Sequence, residues 1–308
     1  MALLVIKQLG IMTLIVLASY IFARILKIDD KGQKLLSKML LYFINPCLII
    51  NSFNREFDPS KLKELSFLII VSFILHIFMI GLAILFTLKK TDINIIDRLS
   101  TVFTNCGFIG IPLIRGVFGD QGVFYLMGYL IVFNILLWTW GLYQMSSTIN
   151  VKKIITNPNI IAVFLGLIIF CLPFELPQMI AKPISMIGDM NTPMAMILIG
   201  IMFSNFKMEK TYVVKLLKIT FVRLILVSFA NLFILILINK IFGQSLDNCR
   251  TMLFVAYISS MCPVATSVPS VTCIYDKDTS YASLVVSVTS LFSMLTIPAF
   301  VALAEILL

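Results

Sequence analysis

The sequence is poor in charged residues. Only 13% of its 308 residues are charged, whereas 60% are hydrophobic, and the mean hydropathy is +1.03. A soluble domain carries about 25% charged residues, so this chain lacks the polar side chains that would cover its apolar ones in water. We therefore expect a membrane protein, and neither a soluble enzyme nor a nucleic-acid-binding protein.

Residues that bind metals or form disulfides are also scarce. His76 is the single histidine, and the six cysteines include no Cys-x-x-Cys pair. Metal centres need clustered ligands, and an intramembrane enzyme would need a nucleophile with a base or a metal cluster. We expect no metal, no cofactor, no disulfide framework and no enzymatic activity. A sensor is equally disfavoured, because the spans leave little length for an output domain.

Continuous apolar runs separated by charged residues dominate the chain. About 20 apolar residues suffice to cross the hydrocarbon core of a bilayer as a helix. The sequence therefore predicts an all-α polytopic membrane protein with ten transmembrane helices, near residues 5–26, 35–53, 66–88, 97–117, 122–145, 158–174, 178–204, 212–238, 249–273 and 280–306.

The net charge of +9 is interpreted as a sign of orientation. Basic residues remain preferentially in cytoplasmic loops, and the odd-numbered connections carry more of them than the even-numbered ones. We expect the odd connections to lie in the cytoplasm. The protein would then be a multi-pass cell (plasma) membrane protein with both termini extracytoplasmic.

Proline positions indicate an internal repeat. Pro112 in the fourth span corresponds to Pro269 in the ninth, and Asn45-Pro46 in the second corresponds to Thr192-Pro193 in the seventh. The predicted halves are residues 1–150 and 151–308, with five helices each. Because five is odd, the second half would be inverted in the membrane, as is typical of secondary transporters.

Two matched spans contain helix-breaking residues near mid-membrane. Backbone groups freed in lipid must face protein or a watery cavity. A half-helix that restarts at Pro112 or Pro269 would present unpaired N–H groups and a positive dipole end, which favours an anion. The alternative is that both breaks are packing kinks. The predicted substrate-binding residues are Asn45, Asn105, Gly110, Ile111, Pro112, Tyr129, Asn134, Thr266, Ser267 and Pro269.

Several of these polar residues have a second interpretation. Asn45 could instead satisfy only the backbone freed by Pro46, and Tyr129 and Asn134 could make interhelical hydrogen bonds. Arg223 could attract an anion, balance a carboxylate or extend to the headgroups. His76 could carry a proton or be a buried neutral side chain.

The order and spacing of the motifs resemble the auxin efflux carrier family across almost the whole chain. The matching motifs are Asn105, Gly110 and Pro112 followed by Gly119-Asp120; Asn157-Pro158; Pro193 and Gly200; Cys262-Pro263 and Pro269; and Tyr275, Asp278 and Thr296-Ile297-Pro298. The long hydrophilic central loop of many plant members is missing. This sequence therefore resembles a compact, bacterial-type member.

The resemblance implies ten helices in two inverted halves, in which broken helices 4 and 9 cross. It implies a homodimer, a scaffold (helices 1, 2, 6 and 7), a transport bundle (helices 3–5 and 8–10) and elevator-type alternating access. Asn105 corresponds to the family's fourth-helix asparagine, and Pro112 and Pro269 to its crossing prolines. The bile acid and sodium symporters share the broader fold.

We therefore predict a secondary transporter or facilitator of small organic anions, carboxylates such as malate- or auxin-like compounds. Its partners would be the anion, membrane lipid and a second copy of the chain, with no nucleic acid. The alternative is a sodium-coupled organic-anion symporter of the bile-acid transporter type. Sodium coupling is disfavoured because no carboxylate lies well inside the fourth or ninth span.

Overall fold

The computed structural model describes residues 2–54, 58–88, 91–146, 155–172, 176–205, 212–243 and 246–308. This part of the chain is almost entirely helical and contains no strand. Its helices are α1 (Ala2–Leu26), α2 (Asp30–Met39), α3 (Asn45–Phe53), α4 (Pro59–Phe86), α5 (Asp92–Val102), α6 (Ile111–Leu136), α7 (Leu142–Ser146), α8 (Pro158–Phe170), α9 (Gln178–Asp189), α10 (Asn191–Ser204), α11 (Val213–Phe221), α12 (Val227–Phe242), α13 (Cys249–Met261), α14 (Ser267–Ile274) and α15 (Thr279–Leu307). The predicted boundary between residues 150 and 151 lies outside the described residues.

Short π-helical turns join several of these helices. They cover Leu40–Ile44 between α2 and α3, Cys106–Gly110 before α6, Leu137–Gly141 between α6 and α7, and Val222–Leu226 between α11 and α12. Such turns carry one extra residue and are frequent at functional sites. The turn Cys106–Gly110 begins beside a helix break, and the turn Val222–Leu226 carries the buried Arg223.

Seven helical stretches of the described chain are long and apolar enough to cross a membrane. One of them, Cys106–Ser146, has 41 residues and would be about 60 Å long at 1.5 Å per residue, roughly twice the hydrocarbon thickness. Gly119 interrupts it with φ 64° and ψ −159°, a backbone conformation that glycine adopts without strain. The interruption falls between the predicted fourth and fifth spans.

The helices pack in two groups. In the first group, α1 lies along α10, and α3 packs against α8 and α9. In the second group, α4 packs on α5, α6 and α13, while α12 packs on α13 and α14 on α15. At the α1–α10 contact a Cβ added to Gly200 would lie 2.6 Å from the Val16 carbonyl oxygen, so this close approach requires glycine.

The predicted fourth and ninth spans are each broken, after α5 and after α13, and they cross at the breaks. Thr104 and Val264 form an isolated antiparallel bridge. On either side, the Asn105 N–H donates to the Pro263 carbonyl at 2.7 Å, and the Ala265 N–H donates to the Phe103 carbonyl at 2.9 Å. Four of the backbone groups freed by the two breaks therefore pair with each other, so these four are not left unpaired in the low-dielectric interior.

The helices restart earlier than predicted. The sequence indicated restarts at Pro112 and Pro269, whereas helical structure resumes at Cys106 and Ser267. Pro269 lies in the first turn of α14, where an N–H would have no intrahelical partner and proline is tolerated. Pro112 lies one residue inside α6, directly after the π-helical turn. The predicted restart positions were therefore wrong, by six residues for Pro112 and by two for Pro269.

The two ends of the chain lie together. The backbone nitrogen of Ala2 donates to a Glu305 carboxylate oxygen at 3.1 Å. Both termini are therefore at the same end of the molecule.

Candidate substrate site

A cavity of about 80 Å³ lies beside the crossing, between the two helix groups. One water molecule needs about 10–15 Å³ of such volume, so several waters or a small ligand would fit. Its lining residues are Leu41, Tyr42, Asn45, Leu48, Ile49, Thr104, Asn105, Gly107, Phe108, Ile111, Leu130, Phe133, Asn134, Leu137, Trp138, Asn159, Ala265, Thr266, Ser267, Ser270 and Val271.

This lining is apolar and neutral. Among the described residues that form it, none has a formally charged side chain. The polar members are amides and hydroxyls, and the apolar members include four aromatic rings, those of Tyr42, Phe108, Phe133 and Trp138. Apolar walls with a few placed polar groups are typical of small-molecule sites.

Two helix N-termini open into the cavity. Asn105 is the N-cap of the π-helical turn Cys106–Gly110, which leads into α6. Its Oδ1 accepts from the Phe108 N–H at 3.3 Å. Thr266 precedes α14, and its side chain makes no capping hydrogen bond. The first N–H groups of a helix have no intrahelical partner and form the positive end of its dipole. Both ends therefore direct positive potential into a neutral cavity.

Four polar atoms on the cavity wall have no hydrogen-bond partner in the described part of the chain. Three of them are Asn105 Nδ2, Asn159 Oδ1 and Ser267 Oγ, and Thr104 Oγ1 is the fourth. Asn105 and Asn159 are only 3% and 7% exposed. Leaving a buried polar group unpaired costs about 1–3 kcal/mol, so each such atom calls for an explanation. A ligand that bonds these atoms is the simplest one.

The cavity brings together six of the predicted substrate-binding residues. Asn45, Asn105, Ile111, Asn134, Thr266 and Ser267 line it. Two of them also form hydrogen bonds within the protein, but neither is the bond that the alternative interpretation required, because the Asn134 bond stays within α6 and Asn45 bonds a side chain. Asn45 Oδ1 accepts from Asn191 Nδ2, and Asn134 Nδ2 donates to the Leu130 carbonyl at 2.8 Å.

The other four predicted residues lie outside the lining. Gly110 is buried at the crossing, where an added Cβ would lie 3.4 Å from Cys262 Sγ. Tyr129 is buried with its ring centroid 4.6 Å from that of His76. Pro112 and Pro269 are buried in their helices. These four residues shape the surroundings of the cavity and do not contribute to its wall.

Asn159 is a lining residue that sequence reasoning missed. It follows Asn157, whose side chain caps α8 by accepting from the N–H groups of Asn159 at 2.9 Å and Ile160 at 3.4 Å. The Asn-Pro pair at 157–158 was recognised only as a helix start. The sequence signal that could have identified it is a second asparagine in the first turn of a membrane helix.

Arg223 does not line the cavity, and it does not extend to the headgroups. Its side chain is fully buried on the π-helical turn between α11 and α12. Its guanidinium donates to the backbone carbonyls of Thr101, Ser260 and Cys262. The headgroup interpretation is therefore wrong, and among the described residues no carboxylate pairs with this arginine.

His76 is also buried away from the cavity. Its Nδ1 lies 2.8 Å from the Ser72 carbonyl oxygen on the preceding turn of α4, and its ring packs against Tyr129. This environment matches the interpretation of a buried packing histidine.

The sequence matches a family model described as "Membrane transport protein" over residues 3–149 and 144–301. The two stretches cover nearly the whole chain. The chain belongs to this family. It is the auxin efflux carrier family that the motifs resembled, and membership together with the apolar helices identifies a multi-pass membrane protein that acts in transport. No curated protein matches the sequence significantly.

Proposed function

We propose that this member of the membrane transport protein family is a secondary transporter or facilitator of small organic anions, and that the cavity at the crossing binds them. One observation carries the proposal: Asn105 and Thr266, at the N-terminal ends of two helices, line a cavity without charged side chains, and the Asn105 amide nitrogen has no hydrogen-bond partner among the described residues. Donors without acceptors suit a carboxylate. Because no fixed positive charge lines the wall, the anion can also be released.

The lining favours a carboxylate with an apolar body. Its aromatic and aliphatic side chains could surround an aryl or alkyl group. A malate-like dicarboxylate would place its second charge against this wall, where an unpaired charge is costly. An auxin-like monocarboxylate therefore fits the site better than a malate-like dicarboxylate.

We further propose ten membrane helices in two inverted halves, 1–150 and 151–308, with elevator-type access. The packing of α1, α3, α8, α9 and α10 in one group and of the crossing helices in the other supports a scaffold and a moving bundle. The cavity is lined by Asn45 and Asn159 from the first group and by Asn105 and Thr266 from the second. Sliding of one group past the other would therefore move the site.

A homodimer in the plasma membrane with both termini outside completes this proposal. The contact between Ala2 and Glu305 supports a common side for the two ends. Labelling of single cysteines near residues 2 and 308 with a membrane-impermeant maleimide in intact cells tests the side. Labelling only after permeabilisation would contradict the proposed orientation.

The site assignment is tested by uptake of indole-3-acetate into liposomes containing the purified protein. Asn105→Ala removes the Oδ1 that accepts from the Phe108 N–H and the Nδ2 that would donate to the anion. A hydrogen bond to a charged group contributes about 1.5–3 kcal/mol, so we expect uptake to fall at least about tenfold. The matched control is Asn231→Ala. Asn231 is also fully buried with no partner for its amide in the described residues, but it lies outside the cavity lining.

Equal loss of uptake in both variants would show a general effect of removing buried amides and would reject the site. The same liposomes test coupling. Uptake that requires an inward sodium gradient would favour the symporter of the bile-acid transporter type over the facilitator.

A further inference from the structure

The buried Arg223 joins parts of the chain that are far apart in sequence. Its Nε and Nη2 donate to the Cys262 carbonyl at 3.1 and 2.7 Å, and Nη2 also donates to the Ser260 carbonyl. Its Nη1 donates to the Thr101 carbonyl at 2.9 Å and lies 3.6 Å from Met79 Sδ. Every guanidinium nitrogen is therefore engaged.

These acceptors share a structural position. Thr101 lies in the last turn of α5, Ser260 lies in the last turn of α13, and Cys262 is the C-cap of α13. The last carbonyls of a helix lack intrahelical partners and form the negative end of its dipole. One side chain thus contacts the carbonyl ends of both first half-helices, immediately before the crossing.

Arginine suits this position better than lysine would. The planar guanidinium offers five donors in a fixed fork, whereas an ammonium group is a compact point charge. The π-helical turn Val222–Leu226 places Arg223 on the side of α11 and α12 that faces both breaks.

We infer that Arg223 is the positioning residue of the crossing: it ties the two carbonyl ends together, neutralises their negative potential and leaves the two N-terminal ends to make the cavity favour an anion. The anion preference rests on the proposed function, whereas the effects on crossing geometry and cavity potential are measurable without any substrate.

The charge of Arg223 lies close enough to act on the cavity. Five residues separate Cys262 from Ser267, and an extended chain of this length spans at most about 17 Å. At this upper limit and an effective dielectric constant of about 20, one unit charge shifts the titration midpoint of a neighbouring group by roughly 0.7 pH unit, and by more at any shorter distance.

A thiol placed in the cavity reports this potential. Ser267 begins α14 and lines the cavity, so Ser267→Cys places a thiol in the cavity wall as a reporter. The alkylation rate of residue 267 by iodoacetamide, a neutral reagent, is followed against pH by peptide mass spectrometry, because only the thiolate reacts. We expect Arg223→Gln in this background to raise the pH midpoint by at least roughly 0.7 unit.

Arg98→Gln is the matched control. Arg98 is 4% exposed and donates to the Thr87 carbonyl and to Gln144, so its removal takes the same charge from the same helix group without touching the crossing. We expect a smaller shift than that caused by Arg223→Gln, because Arg98 donates to no group at the crossing. An unchanged midpoint in Arg223→Gln, or an equal shift in Arg98→Gln, would overturn the inference.

A second variant tests the geometric part and covers the case that Arg223→Gln does not fold. Arg223→Lys keeps the charge but loses the fork. Its hydrogen exchange at the crossing, in peptides containing the Asn105 and Ala265 amides, should be at least about tenfold faster than in the parent, while the thiol midpoint stays within a few tenths of a unit. Parental exchange at the crossing would overturn the positioning role. A failure of indole-3-acetate uptake would reject the proposed function and leave both of these results standing.

Discussion

The two sides of the helix crossing differ in how their helix ends are satisfied. On one side the carbonyl ends of α5 and α13 meet the guanidinium of Arg223, which is fully buried and bonded at each nitrogen. On the other side the N-terminal ends at Asn105 and Thr266 face a cavity in which polar atoms have no partner among the described residues.

This difference suggests a division of roles at the crossing. The carbonyl ends bound by Arg223 would serve stability, and the N-terminal ends at the cavity would serve the proposed binding. A break in two membrane helices creates four helix ends, and each end left unpaired in a low-dielectric interior is costly. The chain satisfies two ends internally and leaves two available. We expect substitutions on the Arg223 side to affect folding most, and substitutions on the cavity side to affect uptake most.

The largest expected effect is that of Arg223→Met. This change leaves the buried carbonyls of Thr101, Ser260 and Cys262 without their donor, and each buried acceptor left unpaired costs about 1–3 kcal/mol. Thermal unfolding of the purified protein, followed by the fluorescence of Trp138 and Trp140, should show a fall of many degrees. A melting temperature within about two degrees of that of the parent would contradict the expectation that the Arg223 side of the crossing determines stability.

Asn159→Asp should have a large effect restricted to the cavity side. The introduced carboxylate would repel an anionic substrate, so uptake of indole-3-acetate should fall at least about tenfold, the effect of roughly 1.4 kcal/mol. Stability should fall as well, but less than in Arg223→Met, because position 159 is only 7% exposed and a buried carboxylate is costly there, and the favourable interaction with the α8 dipole, about 0.3–1 kcal/mol, offsets part of that cost. Parental uptake by the Asn159→Asp variant would place the anion elsewhere.

Pro112→Ala should have a much smaller effect than Asn105→Ala. Pro112 is buried inside α6 and does not line the cavity, so we expect uptake to change by less than about threefold in the same liposome assay. A loss as large as that of Asn105→Ala would mean that the proline itself builds the site.

The smallest expected effect concerns an ion pair between the two helix groups. Arg115 on α6 lies 3.0 Å from Asp189 on α9 and 3.3 Å from Asp120. Exposed pairs of this kind contribute about 0–1 kcal/mol, so Asp189→Asn should shift the balance between conformations by at most about fivefold. Distances between spin labels on α6 and α9 measure how often the two helix groups occupy the relative position seen here. An unchanged distance distribution in Asp189→Asn would show that the ion pair does not stabilise this position.

Much of the helical fold could be predicted from the sequence because apolar runs have the length of a membrane crossing. The two helix breaks were predicted from the small and polar residues around Asn105 and Thr266, both of which line the cavity, whereas the crossing was implied only by the family resemblance. The restart residues were predicted wrongly because proline is tolerated in the first turns of a helix, so its presence does not mark the break.

The role of Arg223 could not be predicted, for a physical reason. Its partners are backbone carbonyls, which every residue has, so no sequence pattern distinguishes Thr101 or Cys262 as acceptors. Asn159 was missed because its neighbours form a helix cap that explains the local sequence by itself. Tertiary contacts determine both roles.

The central claim is that the crossing cavity binds a carboxylate with an apolar body, and uptake by the parent protein tests it most directly. Indole-3-acetate and malate are offered to the same liposomes, with Asn105→Ala and Asn231→Ala protein in parallel. We predict faster uptake of indole-3-acetate than of malate, at least about a tenfold loss in Asn105→Ala and none in Asn231→Ala. Folded parent protein that takes up neither carboxylate, or uptake that does not depend on Asn105, would contradict the claim.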